Sequence, residues 1–201
     1  MSLFLGPIHQ WLYDKIIFQE DLTDALIDAG RAEGWSELTE ELANECHSYD
    51  RRPLEEAVDP DNIHGSLQAR IADAESRYAK LVQTIASANP ARVEDLKQVA
   101  RRFGELNAVP TGTKADVAFG YLNNTLLDGM PCDNVNEMIG QTDDSITWRR
   151  NMDIHAQHWA NEEDELYYVL RTEIVKGMFE PAGLSYDEPQ EGTYEIGRAH
   201  V

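Results

Sequence analysis

The chain has 201 residues, with 17 Lys and Arg against 37 Asp and Glu, a formal charge of −20. A hydrophobic fraction of 42% suits a globular protein and excludes a wholly disordered chain. No apolar run reaches the roughly 18 residues that a membrane-spanning helix needs. The acidity repels phosphates and anionic lipid, so neither nucleic acid nor membrane is an expected partner.

Pro7 opens a first helix that carries Trp11, Leu12, Ile16, Leu22, Ala25 and Leu26 towards a stop at Gly30. Ser36 reads as the N-cap of a second helix over residues 37–47, and Pro53 then interrupts. Asp61 or Asn62 caps the clearest helix, in which His64, Leu67, Ile71, Ala74, Tyr78, Leu81 and Ile85 recur by threes and fours. Asn89-Pro90 breaks it, and residues 91–107 form another amphipathic helix. After a turn at 110–112, a helix runs from Thr113 to Asp128, closed by Gly129. Asp133 can cap a short helix containing Val135, Met138 and Ile139, and residues 144–180 read as helical with a break near Asn161. No alternating run is long enough for a sheet. The expectation is all-α: a single bundle of five to seven helices over residues 1–180, followed by an irregular, extended acidic tail over 181–201.

The acidity belongs to the ends. Residues 1–50 carry 2 basic and 11 acidic side chains, and residues 151–201 carry 3 and 11. The first residues lack the basic start and long apolar middle of a secretory signal. Two cysteines, Cys46 and Cys132, are too few for a disulfide framework and suit a reducing compartment, so the expected location is cytoplasmic.

A local echo singles out three histidines. The frame Ile-His-x-x-Leu-x-x-x-Ile occurs at Ile8-His9 and again at Ile63-His64, and Ile154-His155 begins a shorter third copy. On helices, His9 shares a face with Leu12, Tyr13 and Ile16, and His64 with Leu67 and Ile71. His155 would lie beside His158, Trp159 and Glu162. Inward imidazoles on facing helices are what bundle proteins use to hold Zn, Fe or Ni. His9, His64 and His155 are therefore candidate metal ligands, with His158 and Glu162 as substitutes; each is otherwise a packed, hydrogen-bonded core histidine. His47 is either a fourth ligand or a residue complementing a helix dipole. Trp11 and Trp159 either wall a ligand pocket beside these histidines or pack the core. No His has Glu three residues before it, and no His-Glu-x-x-His or Cys-x-x-Cys is present.

Cys132 follows Gly129-Met130-Pro131 and precedes Asp133. A thiol just before a helix feels the positive end of its dipole, which favours thiolate, while the neighbouring carboxylate opposes it. Cys132 is thus a candidate nucleophile or soft ligand, or else a small hydrophobe. No Gly-x-Ser-x-Gly turn or phosphate-binding glycine loop occurs.

The segments Phe4-Leu5-Gly6-Pro7-Ile8-His9 with Trp11-Leu12-Tyr13, and Gly129-Met130-Pro131-Cys132-Asp133 with Val135-Asn136, together with Trp148, His155 and Trp159, resemble a family of helical proteins from anaerobic bacteria. That family has no assigned activity, so the resemblance implies a helical fold and no mechanism. From the residues, the leading expectation is a protein that holds a transition metal or a metal-bearing ligand through inward histidines. The alternatives are a helical module that binds a small molecule or a partner through its acidic ends without metal, and a thiol enzyme using Cys132.

Overall fold

The structure, a computed structural model, describes residues 5–159 and 164–199. Among the described residues there are seven α-helices and a four-stranded antiparallel sheet, with 61% of those residues helical and 13% in strands. The all-α expectation is therefore overturned: the protein is mixed α and β. The chain divides into two compact units, one made of residues 1–92 and 124–130, the other of 93–123 and 131–201.

The first unit is built on helices α1 (Pro7–Glu33), α2 (Glu40–Cys46), α3 (Leu54–Ala57) and α4 (Ile63–Ala88). Its core gathers Leu12, Tyr13 and Ile16 of α1, Leu54 of α3, Ile63, Leu67 and Ala74 of α4, and Leu127 from the returning segment. Burying such side chains contributes about 1.5–3 kcal/mol each. Helix α1 does not stop at Gly30. That residue is buried, and a Cβ there would come within 3.0 Å of Trp35, so its role is close packing. The stop is Gly34, whose φ of 67° is left-handed and favours a residue without Cβ. Thr39, not Ser36, caps α2 by accepting the Leu42 N–H at 3.1 Å. Asn62 caps α4 by accepting the Gly65 N–H, also at 3.1 Å.

The second unit holds α5 (Val93–Leu106), α6 (Ala115–Thr125), α7 (Asp164–Phe179) and strands β1 (Asn136–Gln141), β2 (Ile146–Arg150), β3 (Leu184–Gln190) and β4 (Thr193–Arg198). The sheet order is β1-β2-β4-β3 with every pair antiparallel. The short helix expected after Asp133 is instead β1. The segment expected to be an irregular tail supplies β3 and β4, which pair through Tyr186↔Ile196. Residues 144–180 are not one helix, because they begin with β2. Ile146 and Trp148 of β2, Leu184 and Tyr186 of β3, and Tyr194 and Ile196 of β4 are buried. Trp148 meets Phe119, Tyr194 and Tyr186 at ring distances of 4.9, 5.7 and 6.1 Å. Helices α5 and α7 touch through Gly104 and Gly177. No helix among the described residues is long and apolar enough to cross a membrane.

Candidate functional site

The three echoed histidines have different settings. His9 is buried, and its Nδ1 accepts the Gly6 N–H at 2.9 Å while its own N–H donates to Gly6 O at 3.0 Å. It stands where a capping box places Glu or Gln. With Nδ1 accepting, the neutral ring carries its proton on Nε2, so metal binding through either nitrogen would disturb the cap. His64 is exposed, because Ile63 rather than His64 heads the buried stripe of α4. The two rings nevertheless meet edge to face, with centroids 5.5 Å apart.

His155 lies in the second unit, buried and stacked on Tyr167 at 3.9 Å. Asp153 accepts the N–H groups of His155 and Ala156 at 2.9 and 3.0 Å and starts a 3-10 turn over Ala156–His158. Burial would raise the Asp153 carboxyl, but those N–H groups, the Tyr168 hydroxyl and Arg150 outweigh it and hold it below its usual range. His158, half-buried, ends that turn, and Trp159, buried, is already extended, so the helical face expected of His155, His158 and Trp159 does not form. Glu162 lies outside the described residues. Among the described residues, no group of three or more His, Cys, Asp or Glu is placed to hold one metal ion. Trp11 is half-buried and donates to Asn124 Oδ1 at 2.9 Å.

Cys132 is exposed on a three-residue 3-10 turn, its Sγ 3.9 Å from Asp133 Oδ1. Cys46 is buried, and burial pushes its thiol upwards. Preferential alkylation of Cys132 would thus report exposure as much as activation.

The geometry with the most chemistry lies elsewhere in the first unit. A cleft of about 420 Å³ is walled by α1, α4 and the segment after α2, and Glu20, His47, Asp50, Arg70, Asp73 and Arg77 line it. His47 is the C-cap of α2, and its Nδ1 lies 2.6 Å from Asp24 Oδ1. A carboxylate only accepts, so Nδ1 donates and the lone pair of the neutral ring is left on Nε2. This is the reverse of His9. Asp24 is steadied in turn by Arg51 Nη2 at 2.5 Å.

Glu20 is 3% exposed, and Arg77 Nη2 donates to its Oε1 at 2.6 Å. Arg77 also donates to Asp73 at 2.9 Å and to the Cys46 carbonyl at 3.0 Å. Glu20 Oε2 has no hydrogen bond, and Arg51 Nη1 stands 3.8 Å from it. Asp50 pairs with both Arg52 and Arg70. Counting the cleft and its flanks, five acids (Glu20, Asp21, Asp24, Asp50, Asp73) face four arginines (51, 52, 70, 77) in this network. The surroundings are close to electrically neutral although the chain is not.

The Arg52 hydrogen bonds, followed by Arg70, overcome the opposing effect of burial and hold the Asp50 carboxyl well below the usual carboxylate range. The folded value is depressed, so the pair stabilises the fold above the ordinary carboxylate pKa of about 3.9 and loses that contribution as pH falls towards the folded value. In an acid titration followed by carboxyl carbon NMR, Asp50 is expected to stay ionised after exposed carboxylates have protonated. Arg70→Gln should move its midpoint upwards; an Asp50 midpoint among the exposed carboxylates would contradict the pairing.

The residues of this cleft were only partly visible in the sequence. Glu20 stands four residues after Ile16 on the buried stripe of α1, and Arg70 and Arg77 flank Leu67 and Ala74 on α4. A charge at a core register is the signal that marks them. The Asp24–His47 contact spans 23 positions and obeys no local period.

No family model matches the chain, and neither a curated protein nor a solved structure matches it. The site is accordingly read from its own geometry.

Proposed function

We propose that the protein binds a small molecule rich in hydrogen-bond donors in the first-unit cleft. The observation that carries this reading is that two residues with spare acceptors line one cleft: His47, whose Nδ1 is held by Asp24 so that Nε2 keeps its lone pair, and Glu20, whose buried Oε2 has no hydrogen bond. A buried carboxylate oxygen lacking a donor costs stability, and a ligand hydroxyl or amine recovers that cost. The near balance of charges in the network favours a neutral polyol or amino alcohol over an anion. A ligand hydroxyl can donate to Nε2, and the Asp24 carboxylate on Nδ1 makes that nitrogen a better acceptor.

Nitrogen–proton spectra of the full chain titrated with glycerol, glucose and ethanolamine test this reading. At least one probe is expected to shift His47 and Tyr49 saturably, with affinity about tenfold or more lower in His47→Phe and in Glu20→Gln. If no probe shifts them, or if binding survives both substitutions unchanged, the cleft is not the binding site.

A further inference from the structure

The second unit holds a separate cleft of about 410 Å³, walled by α7, the end of β2 and the β3–β4 hairpin. This volume lies within the range of about 300–1,000 Å³ typical of small-molecule sites. The charged lining comprises Lys97 and Arg150 against Glu165, Glu173, Glu188 and Glu191, a net charge of −2.

The two signs are presented differently. Arg150 sits over the Tyr168 ring, its guanidinium carbon 3.8 Å from the centroid, and its side chain is 18% exposed. Its Nη1 makes no hydrogen bond, and Asp153 Oδ2 is 3.9 Å away. A planar guanidinium restrained on an aromatic face is a preorganised carboxylate receptor. The backbone holds it in place: Arg150 N–H donates to Gly192 O at 2.8 Å, and Gly192 N–H donates to Glu188 Oε1 at 2.7 Å. Burial pushes the Tyr168 phenol far upwards, so Tyr168 offers a ring and no charge.

A site for a simple anion would not set four carboxylates in the same lining as its arginine. A site for a simple cation would not hold an under-bonded guanidinium at its wall. Both features fit a molecule that carries one carboxylate and more than one amine. We propose that this cleft binds a free α-amino acid with a basic side chain, its carboxylate on Arg150 and its amines among the glutamates. The proposal uses other residues than the first-unit reading and stands or falls without it.

Calorimetric titration of the full chain with L-lysine, with cadaverine (lysine without its carboxylate) and with 6-aminohexanoate (lysine without its α-amine) tests it. L-Lysine is expected to bind saturably, and each truncated probe about tenfold or more weakly. Arg150→Gln should weaken L-lysine about tenfold while leaving cadaverine unchanged or tighter, because a repelling charge has gone. Glu165→Gln, on the exposed wall, should weaken both and keeps the test open if the Arg150 variant does not fold. The proposal is overturned if wild-type protein shows no saturable L-lysine binding, if cadaverine binds as tightly as L-lysine, or if Glu165→Gln binds both as wild type does.

Discussion

Replacing Gly104 or Gly177 by alanine is expected to lower the melting temperature by about 4–8 °C. A Cβ on Gly104 would fall 2.9 Å from the Ile174 carbonyl carbon and closer still to its oxygen. One on Gly177 would fall 2.9 Å from the Glu105 nitrogen and closer still to the Arg101 oxygen. These neighbours are backbone atoms of the facing helix, so no side chain can rotate away, and α5 and α7 would have to separate. Overpacking of this kind costs about 1–3 kcal/mol and occasionally more, and the better helix propensity of alanine returns only about 1 kcal/mol. Because the clash is with backbone, the upper end of that range applies, and a net loss of about 2 kcal/mol, at about 2–4 °C per kcal/mol in a chain of this size, gives the expected shift. Gly120 lies inside α6 with nothing within 4 Å of its Cβ position, so Gly120→Ala should be stabilising, by up to about 1 kcal/mol. Circular dichroism melts of the three variants check both signs. A Gly104→Ala variant melting at or above wild type would mean that the helices do not cross at this distance.

Arg77→Met is expected to cost about 3–5 kcal/mol. The side chain of Glu20 is 4% exposed and that of Arg77 14%, so removing the guanidinium strands a carboxylate away from water. Much of that loss belongs to the stranded charge rather than to the pair itself. Glu20→Met combined with Arg77→Met should therefore be more stable than Arg77→Met alone, although the Cys46 carbonyl and Asp73 still lose their donor. Urea unfolding of the two single variants and the double variant reads this coupling directly. A double variant no more stable than Arg77→Met would place the cost in those other contacts.

The helical half of the fold was legible because its signal is local. Helix α4 declares itself through an Asn62 cap, apolar residues at three and four, and a stop before Pro90. The sheet was not legible, for a reason its strands make plain. Each of β2, β3 and β4 buries only one alternating pair of large side chains: Ile146 and Trp148, Leu184 and Tyr186, Tyr194 and Ile196. Two buried positions are too few to distinguish a strand from a helix turn, and β1 has Met138 and Ile139 exposed. Asp153 accepts the His155 and Ala156 N–H groups as an N-cap does, but the turn it starts lasts only through His158.

The site was harder to read than the fold. The Ile-His frame did bring His9 and His64 together, yet it could not show that the first ring is occupied as a cap and the second is exposed. His47 acquires its chemical character from Asp24, a partner that only tertiary structure supplies.

The order in which the residues are made bears on how the first unit can mature. Leu127 shares its core with Leu12, Tyr13, Ile16 and Leu67, but is synthesised only after the whole of α5 and α6. Until then α1 and α4 can pair but not close, and their uncovered apolar surface must be shielded during that interval. A nascent chain arrested after residue 92 would thus be a client for chaperones, and release from them would coincide with emergence of the 124–130 segment.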